Sequence, residues 1–378
     1  MKILHLADLH LGKRVNEFSM LEDQRFILNQ ILDIVEEENV GVVMICGDVY
    51  DKGIPPVDAI DLLDAFLWQL AEKGCKILMI SGNHDSGDRL GFGKKLFQHS
   101  NLFIVSQFCG EIEKITISCG DIPVNFYMLP FVKPVIVNQH LGIHTQSYQE
   151  CLHYLMEHTK IDPQETNILL AHQFVTAGKE NPELSDSETS SLGGIDNVDY
   201  RIFDSFDYVA LGHIHKPQAM GRPQVRYSGS ILKYSFSEIQ KEKEVVLLHI
   251  EEKKKIEMSF RKLKPLRNMR CIKSTIKQLM EKEIELGNQE DYMQVILTDE
   301  EEIMDAIGKV RTVFPNVMQI CLENRRYAKQ QQIRMKEQDI LHQDSLQLFG
   351  EFYKAQNNME LEEEEVQKMK MIFEEVRQ

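Results

Sequence analysis

The sequence predicts an α/β protein in which two sheets are flanked by helices, followed by a small α/β domain and C-terminal helices. Short apolar runs of strand length alternate with longer amphipathic stretches over the first two-thirds of the chain. Such alternation is typical of βαβ units, which build layered sheets covered by helices. A smaller version of this pattern follows a basic, proline-containing stretch at residues 261–268.

The predicted strands of the first part are short and rich in aliphatic residues, as expected for buried strands. They lie at residues 2–7, 40–46, 76–80, 167–171 and 207–211. Two further runs, at 225–236 and 243–250, are expected to be strands that close a second sheet.

Two stretches between the first three strands have the spacing of amphipathic helices, at residues 21–37 and 55–73. The second stretch opens with Pro55 and Pro56 and is followed by Gly74, residues that favour a helix start and a helix stop.

The second part of the chain carries its own short pattern of strands and helices. Strands are predicted at 269–275, 292–298 and 317–322, with helices at 276–284 and 300–313. Two amphipathic helices follow at 345–356 and 361–377. We therefore expect domains at 1–262 and 268–325 and a helical segment at 341–378.

Composition limits the class of protein. The 378 residues include 43% hydrophobic and 27% charged residues, as in ordinary globular proteins. The sequence shows no signal peptide and no apolar run of the ~18 residues that a membrane span needs. The seven cysteines are scattered without a CxxC pair, which favours reduced thiols in a cytoplasmic protein.

The net charge of −16 argues against binding to nucleic acid, because phosphate affinity comes largely from Lys and Arg. Two features weaken that argument. Bound divalent metal ions add positive charge that the formal count omits. Much of the negative charge also lies in one tail segment, between Glu360 and Glu375.

Potential metal ligands follow five of the predicted strands. The motifs are Asp8-Leu9-His10, Gly47-Asp48, Gly82-Asn83-His84-Asp85, His172 and Gly212-His213-Ile214-His215. The carboxyl ends of parallel strands share one edge of a sheet, so these side chains can meet there. Histidine with carboxylate and amide oxygen suits a catalytic Mn²⁺, Fe²⁺ or Zn²⁺ site. Seven ligands suit two metals ~3.5–4 Å apart, as in phosphodiester hydrolysis.

Each motif alone is weak, since Gly and Asp are common turn residues and most histidines are structural. We interpret five other histidines in that ordinary way: His5, His99, His140, His144 and His249. Five motifs in this order, each at a strand end, are poorly explained by chance.

These residues resemble the five motifs of the calcineurin-like metallophosphoesterase superfamily, over roughly residues 1–250. The resemblance implies one metal held by Asp8, His10, Asp48 and His215. It implies a second metal held by Asp48, Asn83, His172 and His213, with Asp48 as the bridge. It implies that His84 contacts the scissile phosphate or protonates the leaving oxygen. Asp51 receives no role.

The opening ILHLADLHLGK and the segments around residues 172–194 and 195–218 are similar to the SbcD family of bacterial nuclease subunits. This resemblance implies a Mn²⁺-dependent exonuclease and endonuclease on DNA ends and hairpins, active in repair, recombination or replication at the nucleoid. The domain at 268–325 resembles the family's capping domain, which positions DNA. The segment 341–378 resembles its docking element for a coiled-coil ATPase of the SbcC type, although periodicity alone equally allows helices folded back on the chain's own core.

Two surfaces follow from this resemblance. Family members are dimers through helices of the nuclease domain, and the stretch 55–73, with Phe66, Leu67 and Trp68 expected to be exposed, is the candidate surface. Basic residues near the motifs are candidates for phosphate contacts: Lys13, Arg14, Lys52, Arg89 and Lys179.

Two alternative functions remain at this point. The first is a small-molecule phosphodiesterase or phosphatase of the same superfamily, since the motifs define the reaction and not the substrate. The second is a DNA-end binding subunit with a vestigial site, which the intact ligand set argues against.

Overall fold

The structure is a computed structural model that describes residues 1–119, 122–178, 180–188, 196–301, 303–323 and 353. The chain divides into two compact units. One comprises residues 1–271, 288–294 and 316–319, and the other comprises 272–287, 295–315 and the described residues from 320 onward.

The strands up to residue 263 are β1 Lys2–Leu6, β2 Arg14–Val15, β3 Phe18–Ser19, β4 Val42–Cys46, β5 Lys76–Ile80, β6 Leu102–Val105, β7 Glu113–Cys119, β8 Ile122–Leu129, β9 Thr166–His172, β10 Val175–Thr176, β11 Val198–Asp199, β12 Tyr208–Gly212, β13 Gln218–Met220, β14 Arg222–Tyr227, β15 Lys243–Glu252 and β16 Lys255–Leu263. The helices there are α1 Leu21–Glu37, α2 Val57–Glu72, α3 Gly87–Leu90, α4 Lys94–Phe97, α5 Pro134–Leu141 and α6 Tyr148–His158, with 3₁₀ turns at Gln98–Ser100, Tyr200–Phe203 and Phe236–Glu238.

Two six-stranded sheets form the centre of this part, in the orders β16-β15-β1-β4-β5-β6 and β13-β14-β12-β9-β8-β7. Strands β1, β4, β5 and β6 run parallel, as do β8, β9, β12 and β14. Side chains from both sheets share one buried core, and each outer face packs under helices, α1 and α2 on one side and α5 and α6 on the other. The prediction of two sheets flanked by helices is confirmed.

The prediction for the two later strands was partly wrong. Strand β15 lies in the first sheet, antiparallel to β1, and does not close the second sheet. The run 225–236 is a strand only as far as Tyr227, where β14 ends. Gly229 then adopts a φ of +78°, and the Ser230 hydroxyl donates to the Leu232 carbonyl at 2.8 Å, so the chain turns.

Helix α2 corrects the expected exposure of Phe66. Its buried side chains recur at three- and four-residue steps, and Phe66, only 2% exposed, belongs to that inward stripe. Leu67 is half-buried, while Trp68 is 62% exposed. The outer face of the helix therefore carries Trp68 and not Phe66.

The chain after residue 268 contains strands β17 Met269–Ser274, β18 Tyr292–Leu297 and β19 Val317–Leu322, which form a sheet in that order. Helices α7 Ile276–Met280 and α8 Ala306–Arg311 connect them. The predicted order of elements is confirmed, although both helices are shorter than their predicted ranges. The predicted segment 341–378 lies outside the described residues, except for Tyr353, which is helical.

His5 is the structural histidine that the sequence analysis expects. It is fully buried, with Nδ1 3.0 Å from the Tyr208 hydroxyl and Nε2 3.2 Å from the Leu211 carbonyl. Burial lowers the pKa of His5 to about 3, so the ring stays neutral between the sheets.

Candidate metal centre

The candidate site lies where five parallel strands of the two sheets end. Asp8 and His10 follow β1, Asp48 follows β4, and Asn83 and His84 follow β5. In the second sheet, β9 ends at His172, and His213 and His215 follow β12. The structure thus brings all eight of these predicted residues to one edge of the sandwich.

One group of side chains surrounds His10. Its Nε2 atom lies 3.0 Å from His215 Nε2 and 3.6 Å from Asp48 Oδ2. Asp8, His10 and His215 each offer a ligand atom within 4.8 Å of the others, and all three are buried. This group could hold one metal ion.

A second group surrounds Asn83. Its Oδ1 atom lies 3.1 Å from His172 Nε2 and 2.9 Å from His213 Nδ1. His172 Nε2 is also 3.4 Å from Asp48 Oδ2. Asp48 therefore contacts both groups through the same oxygen, as a bridging ligand does.

His84 lies beside these groups and is 38% exposed at its side chain. Its Nδ1 donates to the Asp51 carbonyl at 2.9 Å, and its backbone N–H donates to Asp48 Oδ1 at 2.9 Å. The Nε2 atom is left on the site side, 3.9 Å from Asp48 Oδ2. The ring is therefore held in place while one nitrogen stays accessible from solvent.

In a histidine ring, the hydrogen bond made by the nitrogen that points away from the site determines which nitrogen presents a lone pair to the centre. His172 Nδ1 donates to the Cys46 carbonyl at 2.8 Å, so a neutral ring presents its Nε2 lone pair to the site. His215 Nδ1 lies 2.8 Å from the Ser187 hydroxyl, and His10 Nδ1 lies 3.6 Å from Asp51 Oδ1. The lone pairs of His172 and His215 can therefore converge on the centre.

Burial and neighbouring charge perturb the carboxylates in opposite directions. Burial, with the charge of Asp48, raises the pKa of Asp8 well above its usual range. Burial also opposes the ionisation of Asp48, but His172 and His10 hold its pKa well below its usual range.

The pKa values of the histidines also shift in opposite directions. Burial lowers the pKa values of His10 and His215 well below the usual range, so both rings are neutral. Burial would also lower that of His172, but Asp48 reverses the effect and raises its pKa to about 9. The neutral rings of His10 and His215 beside buried carboxylates fit divalent cations, which supply positive charge that these carboxylates need.

The backbone at the site is strained. Asp8, His10, Asp48 and His213 have φ values of 52°, 45°, 47° and 101°, in the left-handed region that non-glycine residues rarely adopt. Hydrogen bonds between the loops oppose this strain: His213 N–H donates to Asp8 Oδ1 at 2.9 Å, and His10 N–H donates to the Asp48 carbonyl at 2.9 Å. Such strain is typical of functional sites.

The sequence did not predict several carboxylates that support the site, and two of them lie next to the ligand loops. Asp85 accepts from the backbone N–H groups of Val49 at 3.1 Å, Tyr50 at 2.9 Å and Gly82 at 2.8 Å, so it ties the Asp48 loop to the Asn83 loop. Its place next to Asn83-His84 was the signal that could have found it. Asp51, for which the sequence predicted no role, lies close to His10 and accepts from Lys13 at 2.6 Å.

The basic residues predicted to contact phosphate differ in availability. Lys13 is paired with Asp51 and has a side chain only 13% exposed. Arg14, Lys52 and Arg89 are exposed, and Arg89 donates to the Gly53 carbonyl at 3.0 Å. Lys179 lies outside the described residues.

The fold and this site define a phosphoesterase that depends on divalent metal ions. The sequence profile of the calcineurin-like phosphoesterases matches residues 1–217, and that of the type 5 capsule protein repressor C-terminal domain matches residues 265–357. A protein of Staphylococcus epidermidis, described as a subunit of the nuclease SbcCD, is 34% identical over 99% of this chain and 98% of its own.

The chain therefore belongs to the SbcD family of calcineurin-like phosphoesterases. The crystal structure of a dimetal phosphatase from Danio rerio is similar with a TM-score of 0.42 and 14% identity, over 70% of this chain and 96% of that one. Among the described residues, no helix is both long and apolar enough to span a membrane.

Gly82 tests whether close packing around Asp48 holds the centre together. A Cβ atom at Gly82 would collide with the Asp48 carboxylate and amide nitrogen. We expect Gly82→Ala to lower the free energy of unfolding by about 1–3 kcal/mol and to weaken metal binding, because the bridging carboxylate must move. Urea unfolding and calorimetric titration with Mn²⁺ measure the two effects.

Gly41→Ala is the matched control, because the nearest atom to its new methyl group lies 3.9 Å away. It should keep wild-type stability and metal affinity. Unchanged metal affinity in Gly82→Ala would contradict the importance of the Asp48 position.

Proposed function

We propose that this chain is a metal-dependent DNA nuclease, acting as a double-strand exonuclease and a single-strand or hairpin endonuclease. The observation that carries the proposal is the convergence of the His10 and Asn83 groups on Asp48 Oδ2. Its family membership supports the choice of substrate, because its relative in Staphylococcus epidermidis is described as part of a nuclease.

Two metal ions are assigned to the two groups. One is held by Asp8, His10, Asp48 and His215, and the other by Asp48, Asn83, His172 and His213. We propose Mn²⁺ for both, since imidazole nitrogen with carboxylate and amide oxygen suits it and no thiol is present among these ligands. When bound, such ions stabilise charge on a phosphodiester and activate water for in-line attack.

His84 acts on the substrate itself. Its accessible Nε2 faces the centre, while the bond from Nδ1 to the Asp51 carbonyl fixes the ring. In this position it contacts the scissile phosphate or protonates the leaving oxygen. Exposed Arg14, Lys52 and Arg89 hold flanking phosphates, with Lys13 and Lys179 as further candidates.

The remaining parts of the chain position and regulate this chemistry. We assign nuclease activity to residues 1–262, DNA positioning to 268–325 and binding of an SbcC-type coiled-coil ATPase to 341–378. Such a complex acts in repair and recombination of DNA, in the cytoplasm at the nucleoid.

Cleavage of linear duplex and hairpin DNA with Mn²⁺ tests the assigned roles. We expect Asp48→Ala to lose metal binding and cutting, because both ions depend on it. His84→Ala should keep its metals and cut about 10²–10⁴-fold more slowly, as expected for a lost acid or phosphate contact. Metal content is measured by calorimetry on the same samples.

His249→Ala is the control for removing a histidine, since His249 lies on β15 outside the site. It should cut at the wild-type rate. The DNA substrate would be contradicted if the wild type hydrolyses a small phosphodiester but cuts no DNA, even with its ATPase partner. That result would still agree with a phosphoesterase.

A homodimer interface is proposed on the outer face of α2 and residues 87–100. Exposed apolar side chains line a groove of about 350 Å³ there, including Trp68 at 62% exposure, Phe92 at 82% and Phe97 at 39%. Contiguous exposed apolar surface is typical of protein–protein contacts.

Light scattering tests this interface. We expect Trp68→Glu to convert a dimer into a monomer, because a charge would be buried without a partner. Val135→Glu is the control, because Val135 is also exposed, at 64%, but lies on α5. A wild type that remains monomeric at high concentration would contradict the proposal.

Co-purification tests the C-terminal segment. A chain that ends at residue 340 should lose the ATPase partner while it still binds Mn²⁺, because its metal ligands all precede residue 216. Equal recovery of the partner by the shortened chain and the full chain would show that docking lies elsewhere.

A further inference from the structure

A network of buried and partly buried side chains lies at the ring nitrogen of His215 that points away from His10. The Ser187 hydroxyl lies 2.8 Å from His215 Nδ1 and 3.3 Å from Glu238 Oε1. Glu238 is fully buried and accepts from Lys243 Nζ at 2.6 Å, and the Lys243 side chain is only 5% exposed. A buried ion pair of this kind is costly unless its geometry and hydrogen bonds are well satisfied.

The chemistry of the groups sets the direction of these hydrogen bonds. His215 Nε2 faces His10, so it presents a lone pair to a cation only if Nδ1 carries the proton. Nδ1–H then donates to Ser187 Oγ, whose own proton is available for the Glu238 carboxylate. The Ser185 hydroxyl, 2.8 Å from Ser187 Oγ, can donate to the second lone pair of that oxygen. The histidine, the serine and the glutamate form one relay.

The ion pair also holds the backbone of His215. Lys243 Nζ donates to the His215 carbonyl at 2.8 Å and to the Ser230 hydroxyl at 2.8 Å. Glu238 Oε1 accepts from the Tyr234 N–H at 3.1 Å. The Lys243–Glu238 pair therefore holds the His215 carbonyl directly and reaches its ring through Ser187.

The arrangement is different behind the second group of ligands. The far nitrogen of His172 donates directly to the Cys46 carbonyl, without an intervening hydroxyl or carboxylate. A carboxylate at the end of a relay orients a ligating histidine and increases its basicity. The relay therefore acts on one of the two metal positions.

We propose that Ser187 and Glu238 are positioning residues that set the affinity of the metal held by Asp8, His10, Asp48 and His215. Substitution of either residue is expected to leave the affinity for the other metal largely unchanged. This inference rests on the two-metal assignment under the proposed function. In this arrangement, the ion pair with Lys243 keeps the Glu238 carboxylate in place behind Ser187.

The test is titration of the full chain with Mn²⁺, with binding measured by calorimetry and by electron paramagnetic resonance. The wild type is expected to bind two ions. Ser187→Ala should weaken one of them by about 10–100-fold, the usual effect of removing such a partner, and leave the other unchanged. Ser187→Thr keeps the hydroxyl and should restore the wild-type isotherm.

Ser237→Ala is the matched control for disturbance of the loop. The Ser237 hydroxyl accepts from Asp186 N–H at 2.9 Å, so its loss loosens the loop next to Ser187 without touching His215. It should bind both ions as the wild type does. Glu238→Gln keeps the shape of its side chain and should weaken the same single ion, which provides a second variant if Ser187→Ala folds poorly.

Two unchanged binding steps in folded Ser187→Ala or Glu238→Gln would overturn this inference alone. Equal weakening of both ions, or an equal effect of Ser237→Ala, would also overturn it, because the effect would then be general loosening. A wild type that binds no Mn²⁺ would instead overturn the proposed function, and this inference with it.

Discussion

Asp8 and Asp48 are buried close together at the ends of neighbouring parallel strands, where the charge of Asp48 opposes the ionisation of Asp8. Two carboxylates in a dry environment need positive charge nearby, and imidazole nitrogens provide only part of it. The loops and the histidine side chains around them lie where they can meet that requirement. Divalent cations provide that positive charge, and they bind here because both carboxylates are buried.

The layered fold is what makes such burial possible. The rigid strands β1, β4 and β9 are fixed by their ladders and by the shared core between the sheets, so the residues that follow them cannot relax far. Left-handed backbone at Asp8 and Asp48 costs on the order of 1–3 kcal/mol per residue. The surrounding core offsets that cost, and the carboxylates stay in a geometry that solvent-exposed loops would not hold.

Much of this architecture could be predicted from the sequence, because apolar runs and polar residues at strand ends are local patterns. The runs that became β1, β4, β5, β9 and β12 were recognised within about two residues of their bounds. Which sheet a strand joins was harder to predict. Strand β15 pairs with β1, which is distant in the sequence, and local periodicity carries no information about such pairing.

Exposure within a helix was also hard to predict. Apolar residues cover so much of α2 that the sequence does not separate Phe66, which faces the core, from Trp68, which faces solvent. Supporting residues such as Ser187 and Glu238 carry no sequence signal of their own, and Asp85 is marked only by its place next to Asn83 and His84. Their roles arise only when the fold brings distant loops together.

The net charge of −16 is compatible with a polyanionic substrate once its distribution is considered. The segment 341–378 carries nine acidic and four basic residues, which accounts for −5 of that charge in a segment assigned to a protein partner. At the proposed two-metal site, bound divalent ions would add local positive charge that exceeds the contribution of any single lysine. Under this proposal, affinity for DNA depends on metal occupancy more than on surface lysines.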